Sequence, residues 1–226
     1  MIIRKNKFRA SLLAVSLLTN FWLWKILLEN IFLAILLCVL SFLLFFGNSF
    51  KDKKKFYLII LPVALLIFTI VFNVSVDRQL FKPSDIEIAQ RNFRDTYYGR
   101  ELNRLYLNKV SLFYFKNLSY PLQKLQKNIF TNLDINLYFF ASHPLERGGV
   151  DEFQKFPAIF LIPFLIGIFN SLFNFKKNIV MNIYFICAIV GASLTRETYD
   201  LGPVFMFPVV AVFSAVGLEL LSKLRR

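Results

Sequence analysis

The sequence predicts an all-α integral membrane protein with six transmembrane helices and an extracytoplasmic amphipathic helical segment between the third and fourth spans. Of the 226 residues, 57% are hydrophobic and only 18% are charged. The mean hydropathy of +0.55 is too high for a protein whose whole surface faces water. The charged residues are crowded into short tracts between long apolar runs, a pattern typical of chains that have lipid as their solvent.

The N-terminal membrane region, residues 1–76, contains three apolar runs. They extend from Phe8 to Trp24, from Ile31 to Gly47 and from Phe56 to Val76. A single helix over the first two runs would be about 60 Å long, roughly twice the hydrocarbon thickness of a bilayer, and would bury Lys25 and Glu29 near its middle. The first two runs are therefore expected to form a tight helical hairpin.

The C-terminal membrane region, residues 156–226, supplies the other three spans. Its apolar runs extend from Phe156 to Phe173, from Ile179 to Thr195 and from Leu201 to Leu221. With six spans the connecting loops alternate between the two sides of the membrane, and short loops rich in Lys and Arg stay on the cytoplasmic side.

The cations divide unequally between the two sets of loops. The termini and the loops on the same side of the membrane as the termini hold thirteen cations: Arg4, Lys5, Lys7, Arg9, Lys51, Lys53, Lys54, Lys55, Lys176, Lys177, Lys223, Arg225 and Arg226. The short loops on the other side hold only Lys25 and Arg196. Both termini are therefore expected on the cytoplasmic side of the cytoplasmic membrane, with residues 77–155 outside. Because the cations lie at membrane borders and not on one folded face, nucleic acid is not an expected partner.

The N-terminus also has the order of a signal peptide, in which a basic stretch precedes an apolar run. No small-residue cleavage site follows the first run, since Thr19, Asn20, Phe21 and Trp22 come next. The first run is therefore expected to remain as a span.

The extracytoplasmic segment, residues 77–155, is too polar to cross a bilayer and is expected to form amphipathic helices. Ser84 and Glu87 have the spacing of a capping box, which marks a helix start. Apolar residues recur at helical spacing on both sides of Pro121, which is expected to separate two helices. Their polar faces are expected either to meet lipid phosphates at the membrane surface or to line a groove for an anionic lipid-linked substrate. The cations on these faces are Arg100, Arg104, Lys109, Lys116, Lys124 and Lys127.

The end of this segment carries the only histidine of the chain, His143, followed by Glu146 and Arg147. A histidine beside such charges can act as a general acid or base or as a phosphate ligand, or it can hold a turn by hydrogen bonding. Gly148 and Gly149 indicate a sharp turn and not a phosphate-binding loop, since neither the Walker nor the Rossmann glycine spacing is present.

Arg147 and Arg196 border the same predicted outer face of the membrane, the first ahead of the fourth span and the second after the fifth. Two guanidinium groups in that place can clamp phosphate oxygens bidentately. The alternative is an ordinary surface ion pair for each arginine, such as Arg147 with Glu146 or Asp151.

Several short motifs follow one another in a characteristic order between Asp85 and Leu220. A basic amphipathic segment precedes a turn at Leu133 to Phe140, the span that begins Phe156-Pro-Ala-Ile-Phe-Leu-Ile-Pro, the motif Ala192-Ser-Leu-Thr-Arg196, and then Pro203 and Gly217-Leu. In these motifs and their order the chain resembles the C-terminal half of bacterial dolichyl-phosphate-mannose-protein mannosyltransferase-like membrane proteins. Those proteins belong to the C superfamily of glycosyltransferases.

The resemblance implies a sugar donor carried on a polyprenyl phosphate. It also implies catalytic acidic residues in the first extracytoplasmic loop, often with a bound divalent metal. In this chain that loop runs from Lys25 to Asn30 and offers one carboxylate, Glu29. A lone carboxylate is a poor magnesium or manganese site, and Glu29 is expected to cap the turn or to pair with Lys25. Glu29 is thus only a weak catalytic candidate, and no metal or other cofactor is predicted.

The expected function is that of a reduced, glycosyltransferase-like multi-pass membrane protein in lipid-carrier-linked assembly of envelope glycans. It is expected to be non-catalytic or to depend on a membrane protein partner. The other expected partners are the lipid bilayer and a polyprenyl-phosphate-linked sugar, with Arg147, Arg196, His143 and Glu146 as binding candidates. One alternative is a minimal transferase that uses Glu29 with the two arginines on the donor phosphate. Another is a small transporter or structural membrane protein, although the ionisable residues that transporters place inside spans are nearly absent.

Overall fold

The computed structural model describes residues 2–47, 60, 63–64, 85–97, 110, 113–140, 153–194 and 201–224. These residues are mostly helical and no strand occurs among them, which confirms the all-α fold class. The helices are α1 (Ile2–Leu18), α2 (Phe21–Glu29), α3 (Ile31–Gly47), α4 (Asp85–Tyr97), α5 (Ser119–Leu133), α6 (Asn136–Phe139), α7 (Leu161–Phe173), α8 (Ile179–Leu194) and α9 (Phe207–Leu224). A wide helical turn, Tyr114–Leu118, precedes α5, and tight turns, Ala158–Phe160 and Val204–Met206, precede α7 and α9.

The first predicted span is bent. The axes of α1 and α2 differ by 68°. The bend lies at Asn20, whose extended backbone interrupts the helix and whose Oδ1 accepts hydrogen bonds from the backbone N–H groups of Trp22 (2.8 Å) and Leu23 (3.4 Å). Such a cap satisfies donors that the start of a helix leaves without a partner. The first apolar run is thus two helices, which apolar composition alone did not indicate.

The predicted hairpin between the first two apolar runs is present, and Asn30 makes its turn. The backbone N–H of Asn30 donates to the carbonyl of Ile26 (2.7 Å), which closes α2. Its Oδ1 accepts from the backbone N–H of Leu33 (3.0 Å), which begins α3. α2 and α3 then pack against each other. The capping residue is therefore Asn30 and not Glu29.

Pro121 does not separate two helices. It occupies the third position of α5, where it can donate no backbone hydrogen bond to the wide turn that precedes it. The chain is already helical in the preceding wide turn, Tyr114–Leu118, so helical structure runs from Tyr114 to Leu133. The expected break is thus wrong, although the proline does lie at the start of a regular helix.

Length and apolar composition identify one helix of the described residues as able to cross a bilayer by itself, the 21-residue helix Val204–Leu224. α1 and α2 meet the same criterion together as a bent pair. α3, α8 and the helix Ala158–Phe173 are apolar but shorter, and at 1.5 Å per residue each extends about 25 Å. The third predicted span, from Phe56 to Val76, lies almost entirely outside the described residues. The number of six spans therefore stays a prediction.

α9 forms the core of the described bundle. Its residues from Phe207 to Ala215 are buried without interruption, and α1, α3, α7 and α8 all contact it. A helix that is apolar on every side is stable only when other helices or lipid surround it. The Oγ of Ser16, in the last turn of α1, also donates to the carbonyl of Ala211 (3.0 Å), so a buried hydroxyl links the end of the first helix to the first half of the last helix.

α7 and α9 are antiparallel and lie unusually close. A Cβ on Gly167 would overlap the backbone carbonyl of Phe213, and a Cβ on Gly217 would overlap that of Pro163. Gly167 follows Pro163 by one turn on α7, and Gly217 follows Phe213 by one turn on α9. Each helix therefore places a glycine against the backbone of the other helix. Small residues at such contacts let the backbones of helices in membranes approach each other closely.

Charged side chains hold the C-terminal end of α9 against the other helices. Arg9 Nε lies 2.9 Å from Glu219 Oε2, and Lys223 Nζ lies 2.9 Å from Glu219 Oε1. The guanidinium carbon of Arg9 also lies 5.0 Å from the ring centroid of Phe45 and 5.6 Å from that of Phe46. The first half of α1, the end of α3 and the end of α9 thus meet at these charges.

A buried polar pair joins α7 to α8. The hydroxyl of Ser171 donates to Asn182 Oδ1 (2.7 Å), and Asn182 Nδ2 donates back to the backbone carbonyl of Ser171 (3.0 Å). Both residues are almost completely buried. Because each polar atom of the pair finds a partner in the other residue, two polar side chains are accommodated inside the bundle.

The outward faces of α3, α7 and α8 are apolar. Large exposed side chains on these helices are Ile31, Phe32, Ile35, Ile162, Phe169, Phe173 and Ile186. Extended apolar surface of this kind marks contact with another protein or with a membrane. Its presence on several helices around one buried helix is the pattern expected of a bundle surrounded by lipid.

The close approach of α7 and α9 predicts the effect of adding one methyl group. Gly217→Ala is expected to lower the free energy of unfolding by about 1–3 kcal/mol or more, because the new Cβ must push the Pro163 backbone away. Gly191→Ala is the matched control, since the atoms nearest its Cβ would be those of the Phe205 ring, at 3.3 Å, and not a backbone. Thermal unfolding of the purified variants in detergent measures the difference. Equal midpoints for the two variants would contradict the close packing.

Candidate functional site

Trp22 is fully buried at the start of α2 and is the centre of an aromatic cluster. Its ring centroid lies 5.5 Å from that of Phe207, 6.0 Å from that of Tyr138 and 6.3 Å from that of Phe156. Tilted and edge-on pairs at these distances are the favourable arrangement for aromatic rings. These four residues together with Leu201 are termed the Trp22 junction.

Hydrogen bonds fix the backbone around the Trp22 junction. The indole N–H of Trp22 donates to the carbonyl of Leu201, and its backbone N–H donates to the carbonyl of Lys155 (3.1 Å). The backbone N–H of Phe156 donates to the carbonyl of Tyr138 (2.8 Å). Because a buried polar group without a partner costs about 1–3 kcal/mol, these bonds hold four separate parts of the chain in one arrangement.

Two segments outside the described residues begin or end beside the junction. Segment 141–152 leaves the described chain at Phe140 and returns at Phe153. Its flanks are joined by the bond from Phe156 to Tyr138 and by a second bond, from Gln154 Nε2 to the carbonyl of Phe139 (3.0 Å). Segment 195–200 returns at Leu201, which receives the Trp22 indole.

The four predicted binding residues all lie in these two segments. His143, Glu146 and Arg147 belong to segment 141–152, and Arg196 belongs to segment 195–200. They are outside the described residues, so the predicted approach of Arg147 to Arg196 stays a prediction. The described residues show that the flanks of both segments are held at the Trp22 junction.

Two lysines lie on one aromatic ring next to the junction. Lys25 Nζ is 4.2 Å from the ring centroid of Phe153, and Lys155 Nζ is 5.0 Å from the same centroid. Lys155 is fully buried, whereas Lys25 is half-buried. Gly202 makes room for the buried lysine, because a Cβ at this position would lie 2.9 Å from Lys155 Cε. Gly202 also has a φ of +72°, a conformation that other residues rarely adopt.

Glu29, the weak catalytic candidate, is the exposed last residue of α2. The expected ion pair with Lys25 is not formed in the described part of the chain, because the Lys25 ammonium lies over Phe153 instead. Among the described residues no three His, Cys, Asp or Glu side chains come together as possible metal ligands.

α5 is attached to the end of α8 by asparagines. Asn128 Nδ2 donates to the carbonyl of Ser193 (3.0 Å), and Asn132 Nδ2 donates to the hydroxyl of Ser193 (3.3 Å). The phenol of Tyr138 donates to the carbonyl of Asn132 (2.6 Å). Burial, with a smaller contribution from the charge of Asp134, raises the pKa of the Tyr138 phenol well above its usual value, so this donor stays protonated. α5 is thus connected both to α8, just before segment 195–200, and to the Trp22 junction.

The other side of α5 is apolar and exposed. Leu122, Phe130 and Leu133 are each more than 40% exposed, beside the exposed Lys127. Lys124, in contrast, is largely buried and lies 4.0 Å from Glu87 of α4. α5 therefore turns its asparagines toward the protein and its leucine and phenylalanine side chains outward, which is the polarity of a helix lying in a membrane interface.

Sequence reasoning missed most of these residues. Trp22 lay within an apolar run, and Lys155 was one cation at a predicted membrane border. The four-residue spacing of Asn128 and Asn132 on an amphipathic helix was an available signal, because it places two amides on one helix face. The long-range partners of Trp22 left no comparable signal in the sequence.

Comparison of the chain with protein-family models, with curated proteins and with solved structures found no match.

The buried indole bond predicts a difference between the two tryptophans. Trp22→Phe is expected to lower the free energy of unfolding by about 1–3 kcal/mol, because it leaves the buried carbonyl of Leu201 without its donor. Trp24→Phe is the control, since the ring of Trp24 is 49% exposed and its indole bonds only to the nearby carbonyl of Leu18 (2.9 Å). That change is expected to cost about 0.5 kcal/mol or less. Thermal unfolding of both variants gives the comparison, and an equal loss in the two would contradict the role of Trp22.

Proposed function

We propose that the chain is a six-span membrane protein that binds a polyprenyl-phosphate-linked sugar and acts in the assembly of envelope glycans. In this proposal it is a reduced relative of the C-superfamily glycosyltransferases that does not catalyse transfer alone and works with a membrane protein partner. The observation that carries the proposal is the shared anchor of segments 141–152 and 195–200 at the Trp22 junction. These segments hold Arg147 and Arg196.

The packing of the described helices supports alternating spans. Arg9 and Glu219 bring together the first half of α1 and the end of α9, with the end of α3 beside them. Trp22, Lys155 and Leu201 bring together the start of α2, the approach to α7 and the approach to α9. In a six-span chain with cytoplasmic termini, the first group lies at the cytoplasmic surface and the second group at the outer surface.

Chain length supports a common anion site. Arg147 precedes Phe153 by six residues, and Arg196 precedes Leu201 by five. An extended chain covers at most about 3.6 Å per residue, so the Arg147 backbone lies within about 22 Å of Phe153 and the Arg196 backbone lies within about 18 Å of Leu201. Two guanidinium groups tethered to one place can bind the same phosphate through paired N–H···O bonds.

The surface around this site supports a ligand that is itself a lipid. α5 presents Leu122, Phe130 and Leu133 outward next to Lys127, an arrangement that places apolar side chains among acyl chains and a cation among phosphates. A polyprenyl phosphate has the same two parts, an apolar chain and an anionic head group. The lipid bilayer and this ligand are thus the two partners for which α5 is suited.

The position of Glu29 supports a non-catalytic role over a minimal transferase. A carboxylate that serves as a base must be held by the structure around it. Glu29 is exposed at the end of a short helix, and the neighbouring Lys25 is engaged with Phe153.

The proposal is tested by binding of a polyprenyl phosphate to the full chain in nanodiscs of neutral lipid. Arg147→Lys and Arg196→Lys are each expected to weaken binding about tenfold, because lysine keeps the charge but loses the bidentate fork, and a charge-assisted hydrogen bond contributes about 1.5–3 kcal/mol. Glu29→Gln is expected to leave binding unchanged. The thermal midpoint of each variant is measured alongside to separate binding from folding.

Three results would contradict the proposal. If the wild-type protein does not bind polyprenyl phosphate, the proposed ligand is wrong. If both arginine variants bind the lipid as tightly as the wild type, the two arginines do not clamp its phosphate. Loss of a glycosyl-transfer activity in Glu29→Gln, with normal abundance in the membrane, would replace the non-catalytic role with the minimal transferase.

A further inference from the structure

We propose that Lys25, held on the ring of Phe153 beside the buried Lys155, binds the phosphate of a lipid phosphomonoester. This inference rests on the proposed function and adds a residue of α2 to a site that the sequence placed only in the two arginine segments. The residues that carry it all belong to the described part of the chain.

Two lysine ammonium groups lie on the ring of Phe153. Lys25 Nζ lies 4.2 Å and Lys155 Nζ lies 5.0 Å from the ring centroid of Phe153. The two nitrogens are therefore no farther apart than the sum of these distances, 9.2 Å. The half-buried Lys25 ammonium is a positive charge at the edge of low-dielectric protein, where it attracts an anion more strongly than it would in open water.

Lys155 is held by its backbone and by the residues around its side chain. Its carbonyl accepts the backbone N–H of Trp22 (3.1 Å), and its side chain lies fully buried against Gly202. A lysine is almost never fully buried without a specific interaction. The buried cation therefore belongs to the framework of the site, and Lys25 is the cation that a ligand can reach.

Lys25 can offer hydrogen-bond donors to a ligand. Its ammonium is half-buried, its contact with Phe153 is through the ring face, and no described carboxylate forms an ion pair with it. The side chain thus keeps hydrogen-bond donors for an anion. Lysine binds phosphate as a point charge with rotatable donors, which complements the planar fork of an arginine.

The apolar surface beside Lys25 favours a lipid phosphate over a free phosphate ion. Three large apolar side chains on α2 are exposed beside Lys25, with exposed fractions of 54% for Phe21, 49% for Trp24 and 84% for Leu28. A bound lipid phosphate would place its first isoprene units on this surface. Inorganic phosphate would have no contact there, so the same cation would hold it more weakly.

The test uses the full chain in nanodiscs of neutral lipid, with polyprenyl phosphate as the probe. Lys25→Gln is expected to weaken binding about tenfold without lowering the thermal midpoint, and Lys25→Arg to restore most of the affinity. Lys177→Gln is the matched control, because Lys177 is an exposed lysine in the turn between α7 and α8, at the opposite end of the bundle. Inorganic phosphate is added as a competitor.

The outcomes separate this inference from the proposed function. Unchanged binding in Lys25→Gln, with weakened binding in Arg147→Lys, overturns the role of Lys25 and leaves the proposed function standing. A wild-type protein that does not bind polyprenyl phosphate overturns both. An equal loss in Lys177→Gln shows a general charge effect and overturns the site. Competition by inorganic phosphate at concentrations equal to those of the lipid overturns the assignment to a lipid.

Discussion

The hydrogen bond from the Trp22 indole to the Leu201 carbonyl is the interaction on which the proposed site depends. It is completely buried, and it joins the first hairpin to the approach of α9, which are separated by 179 residues in the chain. The backbone N–H of the same residue holds the carbonyl of Lys155, ahead of α7. One residue therefore determines where three apolar helices begin relative to each other. Since a buried donor or acceptor without its partner is costly, this arrangement has few alternatives.

The frame behind that junction comes from the close contact of α7 and α9. Gly167 and Gly217 let the two backbones meet, so α9 lies deep enough to be covered by α1 and α3 as well. Arg9 and Glu219 then fix the opposite end of the bundle. In the proposed function, the binding residues lie on the segments that leave the aromatic end of this frame. Binding residues on loops that a packed scaffold positions are a common arrangement in proteins.

The sequence predicted the parts of the fold that depend on composition and local chemistry. Apolar runs predicted the helices that became α3, α7, α8 and α9, and the short polar stretch before Ile31 predicted the hairpin. The bend at Asn20 was missed, although Asn is a preferred capping residue, because an apolar run gives no indication of where a cap interrupts it. Lys155 was placed at a membrane border but is fully buried, since contacts with Gly202 and Phe153 are set by distant parts of the chain. Of the predicted site, only Glu29 falls in the described residues.

The central claim is that Arg147 and Arg196 meet at the Trp22 junction on the extracytoplasmic side of the membrane. Cross-linking in intact cells tests the place and the proximity together, with Arg147→Cys and Arg196→Cys combined in a chain whose Cys38 and Cys187 are replaced by alanine. A short bifunctional thiol reagent that cannot cross the membrane is added, and the cross-linked peptide is identified by mass spectrometry. The account predicts an intramolecular cross-link in unbroken cells. A cross-link that forms only after the cells are opened would contradict the topology, and single variants that react without any cross-link in the double variant would contradict the shared site.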